Sequence, residues 1–247
     1  MKAIFASLVA LCAILLALPV VAGDRAQLNV IGYSKDTQYF AFEEYGVADG
    51  SGGAYDHLYV VDLAHDTYVA GSPFKIDTDE DEGTGRPLAD VRADVLKLAQ
   101  PTLTKYAIST PAEVWAQVGD GAGKAADAKT LKWSIPNCCE PGSTEDDVFS
   151  VTLKTLPMKP TGECASAFDG ATFGFALSYV GHGQTAEIHR DQSIPKSRGC
   201  PVDYRLYAVL SPFPDEGAGP GGRVAIVAAY PFDFEGPSRR FLAVPID

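Results

Sequence analysis

The sequence has few basic residues for its length and, after residue 22, no long apolar run. Its 20 lysines and arginines face 32 aspartates and glutamates, which gives a formal net charge of −12 at pH 7. This negative excess predicts repulsion from nucleic acid and from anionic membrane surfaces, so neither is expected as a partner. The absence of a later apolar run predicts no membrane span in the mature chain.

The sequence also lacks the short motifs that carry catalysis. It contains no nucleophile elbow of the form G-x-S-x-G and no H-E-x-x-H zinc motif. Two matches to S-x-x-K, at Ser72–Lys75 and Ser193–Lys196, each contain a proline and have no K-T-G partner. We interpret both as loops. No enzyme class and no cofactor are therefore assigned from motifs.

No metal site is predicted. The acidic run at 77–82 has the alternating acids of an EF-hand loop. However, Glu82 stands where that loop needs glycine, and Leu88 stands where it needs the closing acid. We interpret the run as a solvated acidic loop. Four histidines, which lack recognisable ligand spacing, are predicted to lie in turns and at the surface: His57, His65, His182 and His189.

One long apolar run does occur, at the start of the chain. Met1-Lys2 provides a positive start, and Ala3–Ala22 is almost wholly apolar and ends in small residues. This arrangement is typical of a secretory signal peptide. We predict a signal peptide over 1–22, cleaved after Ala22 or Gly23, and a single secreted β-rich domain over 23–247. The mature protein is then periplasmic or extracellular, where thiols are oxidised.

Four cysteines remain after this cleavage, and they predict two disulfides. Cys138 and Cys139 are adjacent, and neighbouring cysteines can bond each other only through a strained ring. We therefore expect Cys138 and Cys139 to bond Cys164 and Cys200, in an order that the sequence leaves open. The spacing lacks the paired C-x-x-C units of a structural zinc site.

The patterning predicts a mainly β fold. Residues 38–45 alternate aromatic with small or acidic side chains, the period-two signal of a strand. From residue 147 onward, strand patterns follow one another through turns without intervening helices, which favours an antiparallel meander of propeller-like blades or a sandwich. One helix is predicted near 87–99, with Pro87 at its first position and Pro101 ending it.

Two resemblances extend this interpretation. Residues 34–42 and 58–63 resemble one blade of the periplasmic TolB-type β-propellers. The whole mature chain resembles a family of alphaproteobacterial predicted secreted proteins of unknown function, which implies secretion and carries no known activity. The residues that support the second resemblance are Ile31–Ser34, Phe40–Gly46, Asp49–Gly52, Ser197–Pro201 with Tyr204, and Phe234–Phe241.

Two loops combine glycine with charge, at 49–53 and 234–240. Acids and arginines near them can form a cluster that binds an anionic or polar ligand through the planar guanidinium forks. The alternative is structural ion pairing at the end of a sheet. The candidate binding residues are Glu43, Glu44, Arg198, Glu235, Arg239 and Arg240.

We rank a non-enzymatic exported module that binds a protein, an envelope component or a polar ligand as the first hypothesis. The alternative is a secreted hydrolase whose carboxylates are placed by the fold and form no visible motif. A deep cleft with two close carboxylates of shifted pKa favours the enzyme. A flat or ridged face with exposed aromatic side chains favours binding.

Overall fold

The computed structural model describes residues 23–78, 85–118, 128–135, 147–160, 162, 164–167, 170–181, 183–213, 222–234 and 236–246. Its helices are α1 (Leu88–Lys105) and α2 (Cys164–Ala167), with a 3-10 turn at Lys196–Arg198. Its strands are β1 (Gln27–Ser34), β2 (Tyr39–Val47), β3 (Ala54–Asp62), β4 (Thr67–Tyr68), β5 (Phe74–Asp77), β6 (Ile108–Thr110), β7 (Ala112–Gln117), β8 (Thr130–Ile135), β9 (Asp147–Met158), β10 (Thr172–Gly181), β11 (Gln184–Arg190), β12 (Pro201–Pro212), β13 (Val224–Pro231) and β14 (Arg240–Pro245).

The described strands form three antiparallel sheets. Sheet one has the order β4-β3-β2-β1-β6, and β5 also pairs with β3. Sheet two has the order β11-β10-β9-β8, and sheet three has the order β14-β13-β12-β7. The prediction of a mainly β, antiparallel fold is confirmed. The blade-like resemblance remains a prediction.

Sheet three lies between the other two sheets. Along its strand β13, Val224, Ile226 and Ala228 pack toward sheet one. The alternate residues Ala225 and Val227 pack toward sheet two. Both sets are almost completely buried. A strand covered on both faces needs apolar side chains at every position, which explains the unbroken apolar run of β13.

Helix α1 covers the outer face of sheet one. The buried residues Val91, Val95, Ala99 and Leu103 recur at helical spacing. The last three of them pack on Ala41, Leu58 and Val60 of the sheet. The helix was predicted to stop before Pro101, but it continues to Lys105. Pro101 lies on the exposed side, where water can satisfy the carbonyl that its missing N–H leaves free. Burial of Leu103 offsets part of that cost.

One disulfide joins Cys164 of α2 to Cys200, with a Cα–Cα distance of 5.5 Å. The prediction that Cys138 and Cys139 bond these two cysteines is therefore wrong. The fold brings Cys164 beside Cys200, a juxtaposition that cysteine counting cannot foresee. Cys138 and Cys139 lie outside the described residues, as does the predicted signal peptide. No helix in the described part of the chain is long and apolar enough to cross a membrane.

The disulfide generates a stability prediction. The Cys164→Ser/Cys200→Ser variant should lose about 2–4 kcal/mol of unfolding free energy, because an open unfolded chain gains conformational freedom. Guanidinium denaturation without reductant measures the loss. With reductant present, the variant and the natural sequence should become nearly equal. Peptide mapping that joins Cys164 to Cys138 or Cys139 would contradict the assignment.

Candidate functional site

Glu44 is a buried carboxylate at the junction of sheets one and three. It lies on β2, where its side chain points to the same face as Phe40 and Phe42. Its Oε1 accepts a hydrogen bond from the Tyr59 hydroxyl at 2.8 Å, and its Oε2 accepts one from the Phe241 backbone N–H at 2.7 Å. Both oxygens are thus used, as a buried charge requires.

His57 lies between two carboxylates. Its Nδ1 is 3.4 Å from Oε1 of Glu44, and its Nε2 is 2.7 Å from Oδ1 of Asp77. Burial disfavours the charged ring, but Asp77 and Glu44 outweigh this effect and raise the pKa of His57. In turn, the hydrogen bond with His57 lowers the pKa of Asp77. The two carboxylates therefore shift His57 toward its charged form.

A cleft of about 210 Å³ opens beside these residues. Glu44 and His57 line it together with three strongly basic side chains from separate segments: Lys75 of β5, Arg198 of the 3-10 turn and Arg240 of β14. Tyr59 and Tyr68 also contribute, with ring centroids 5.3 Å apart. The charged side chains of this lining are therefore mainly basic, although the chain as a whole is acidic.

Arg198 is held in place by Asp191, a residue that does not line the cleft. Its Nη1 donates to Oδ2 of Asp191 at 2.7 Å, and the same oxygen accepts the Phe175 backbone N–H at 2.9 Å. The other oxygen of Asp191 lies 3.1 Å from Nε2 of His189. Burial opposes the charge on His189, but Asp191 and Asp66 raise its pKa to about 9. Asp191 thus fixes the arginine without occupying the cleft.

Arg239 and Arg240 are adjacent but have different surroundings. Arg239 is 5% exposed, and its Nε and Nη2 both donate to the Ala26 carbonyl, at 3.1 and 2.7 Å. Arg240 lies against the Tyr55 ring at 4.5 Å, with its Nη2 3.9 Å from Asp24. Its Nη1 is buried and has no hydrogen-bond partner among the described residues.

A second charged cluster lies on the opposite face of sheet one, beneath α1. Glu43 accepts hydrogen bonds from Asn29 and from Arg92 of the helix. Asp56 is completely buried, and neither of its oxygens has a hydrogen-bond partner among the described residues. Burial first, and then the adjacent Glu43 charge, raises the pKa of Asp56 to about 7. Both side chains of this acid pair are buried.

A larger cavity of about 380 Å³ lies beside the disulfide. It is lined by Cys164, Cys200, Ile194, Pro195 and Lys196, among others. Its only charged lining residue among those described is Lys196, so it lacks the convergent polar groups that fix a ligand. No group of three or more histidine, cysteine or acidic side chains in the described segments is arranged to hold a metal ion.

The cleft brings together three of the six candidate binding residues. Glu44, Arg198 and Arg240 line it. Glu43 points to the opposite face, and Arg239 turns to a backbone carbonyl. Glu235 lies outside the described residues. Ligand binding by this set remains a prediction.

The sequence analysis missed His57 and Lys75. His57 is 7% exposed within β3, so its placement in a turn or at the surface was wrong. His189 is likewise largely covered, whereas His65 does lie in an exposed turn. His57 lies in the middle of a strand and not in a turn, and this position was the available signal. The strand carries polar residues but is buried on both faces.

These features define an exported, disulfide-bonded, mainly β protein with a basic cleft. The chain belongs to the family described as "Predicted secreted protein (DUF2259)", whose model matches residues 41–247. Neither the curated proteins nor the solved structures give a match. The expected location outside the cytoplasm is thus confirmed by the family and by the disulfide. The function of this family is unknown.

The buried acid pair predicts a pH-dependent stability. The folded-state pKa of Asp56 is raised from 3.8 to about 7, so folding favours the protonated form. The contribution of protonated Asp56 to the unfolding free energy is therefore complete below about pH 4 and is lost as the pH rises above 7. In the Asp56→Asn variant, the new side chain stays neutral at every pH and can donate a hydrogen bond to Glu43. Between pH 4 and 8, the variant should therefore lose about 2 kcal/mol less unfolding free energy than the natural sequence.

Urea denaturation at several values between pH 4 and 8 measures the difference between Asp56→Asn and the natural sequence. Asp49→Asn is the matched control, because Asp49 is exposed. Parallel stability curves for the natural protein and Asp56→Asn would show that Asp56 titrates normally.

The adjacent arginines predict unequal stability effects. Arg239→Ala should lower the unfolding free energy by about 2 kcal/mol, because it removes two hydrogen bonds to a buried carbonyl. Arg240→Ala should cost about 1 kcal/mol or less, because that side chain is 31% exposed and its contacts are the face of Tyr55 and a carboxylate 3.9 Å away. Denaturant midpoints of the two variants compare them. Equal losses would contradict the assignment.

Proposed function

We propose that this exported protein is a binding module that takes an anionic group of an envelope component or polar ligand into its cleft. The observation that carries the proposal is the convergence of Lys75, Arg198 and Arg240 on one small cleft. These residues come from segments far apart in sequence. Arginine forks recognise planar or tetrahedral oxyanions by pairs of N–H donors.

The geometry favours binding over hydrolysis. The close acid pair, Glu43 and Asp56, is buried beneath α1 on the other face of the sheet, where a substrate has no access. In the cleft, both ring nitrogens of His57 already face carboxylates. A general base must be neutral to remove a proton, and these carboxylates favour the protonated ring. The hydrolase alternative therefore gains no support from this site.

Exposed aromatic side chains give independent support to a binding role. Phe234 is 91% exposed and Phe213 is 50% exposed. Tyr68, at 40% exposure, stands at the cleft itself. Contiguous exposed apolar surface marks contact sites, whereas single exposed residues are ordinary, so Tyr68 at the cleft carries this support. A ligand that places its anionic group in the cleft can contact the ring of Tyr68 with the part that stays outside.

The proposal predicts cleft-dependent anion binding. The mature protein is titrated calorimetrically with sulfate and with malonate at constant ionic strength. At least one of these anions should bind, and Arg198→Gln and Arg240→Gln should each weaken it about tenfold, because each removes a charge-assisted donor. Arg190→Gln should leave the affinity unchanged.

Arg190 is the matched control because it is exposed and forms its ion pair with Glu187, away from the cleft. Circular dichroism of every variant checks that the fold is retained. If neither sulfate, malonate nor a phosphate compound binds, or if Arg190→Gln weakens binding as much as the cleft variants do, the proposal fails.

A further inference from the structure

We infer that the cleft is built for a terminal phosphate group in preference to a carboxylate. This inference rests on the proposed function, since it names the ligand class of the same cleft. Free inorganic phosphate, a soluble ester and a lipid headgroup share this chemistry.

The number of basic groups matches a phosphate. Lys75, Arg198 and Arg240 enter the cleft from β5, the 3-10 turn and β14 respectively. A phosphate monoester carries up to two negative charges and three terminal oxygens that point in different directions. A carboxylate has one charge and two oxygens in a single plane. Three cations from three separate segments therefore suit the phosphate better.

The only carboxylate in the described lining is held by hydrogen bonds from the protein. Both oxygens of Glu44 accept hydrogen bonds, from Tyr59 and from Phe241, and its Oε1 lies 3.4 Å from Nδ1 of His57. Glu44 also stabilises the charge of Arg240. It therefore orders the wall of the cleft and offsets only part of the positive charge there.

Both arginines retain unused donors. Arg240 has a buried Nη1 without a hydrogen-bond partner among the described residues, and Asp24 is 3.9 Å from its Nη2. Arg198 gives one N–H to Asp191. Because a guanidinium has five N–H donors, the remaining ones can serve an oxyanion. Neither Asp24 nor Asp191 lines the cleft.

The size of the cleft limits what enters it. Its volume of about 210 Å³ is below the range of about 300–1,000 Å³ that is usual for pockets enclosing drug-sized ligands. The cleft therefore accommodates one charged group, while the rest of a larger molecule extends past the rim. Tyr68 is exposed there and offers an aromatic face to such an extension.

The test compares methyl phosphate, inorganic phosphate and malonate by calorimetry with the mature protein at pH 7.5 and constant ionic strength. Methyl phosphate should bind about tenfold or more tightly than malonate, which carries the same charge of up to two but splits its oxygens between two planar carboxylates, whereas the three oxygens on one phosphorus can reach all three basic groups. Arg198→Lys and Arg240→Lys keep the charge but lose the fork, so each should weaken methyl phosphate about tenfold. Arg190→Lys should have no effect.

Two calorimetric outcomes overturn the inference, and only the second also contradicts the proposed function. If malonate binds as tightly as methyl phosphate and depends on the two arginines, the phosphate class is wrong but the proposed function stands. If neither compound binds and sulfate fails as well, both fail. Calorimetry on the Arg190→Lys variant controls for a general effect of replacing an arginine by a lysine outside the cleft.

Vesicles of phosphatidylcholine with and without phosphatidic acid separate the sources of the phosphate. Arginine-dependent binding only to vesicles that contain phosphatidic acid supports a lipid headgroup. Tight binding of methyl phosphate with no vesicle binding supports a soluble ester, and inorganic phosphate that matches methyl phosphate supports the free ion. Vesicle binding that survives both lysine substitutions contradicts the cleft as the phosphate site.

Discussion

The buried carboxylate of Glu44 is the interaction on which the cleft depends. It lies on sheet one but accepts the backbone N–H of Phe241, which belongs to the edge strand of sheet three. A charge in this position is tolerated only when its oxygens are hydrogen-bonded, and here Tyr59 and His57 complete its surroundings. Because the bond fixes β14 against β2 and β3, it also places Arg240 beside Lys75. The same carboxylate thus joins two sheets and sets the geometry of the basic wall.

Two consecutive glutamates serve the two faces of one strand. Side chains alternate along β2, so Glu43 points beneath α1 while Glu44 points to the cleft. Beneath the helix, Arg92 and the protonated form of Asp56 reduce the repulsion between neighbouring acids. On the cleft side, His57 supplies the compensating charge. Sheet one can therefore carry three acids in its interior because each face provides its own neutralising partner.

The sequence could predict what depends on local patterning and no more. Alternation revealed the strands, helical spacing revealed α1, and charged loops pointed to Glu44, Arg198 and Arg240. What it could not supply is the pairing of distant segments. Lys75 meets His57 because β5 pairs with β3, and Cys164 meets Cys200 across 36 residues. The sequence alone does not show which of the two adjacent arginines is buried. Their positions at the edge of sheet three bury Arg239 and place Arg240 in the cleft.

A basic cleft in a chain of net charge −12 must work at short range. The overall field repels anions, so long-range steering cannot supply the affinity. At physiological ionic strength, however, charges are screened beyond about 8 Å, whereas partly buried donors in contact with a ligand are screened much less. Under the proposed function, we therefore expect the cleft to favour a small, compact anion that reaches all three basic groups. Most charges of an extended polyanion would remain outside the cleft, where the acidic surface repels them. The net charge of the chain would thus disfavour such ligands.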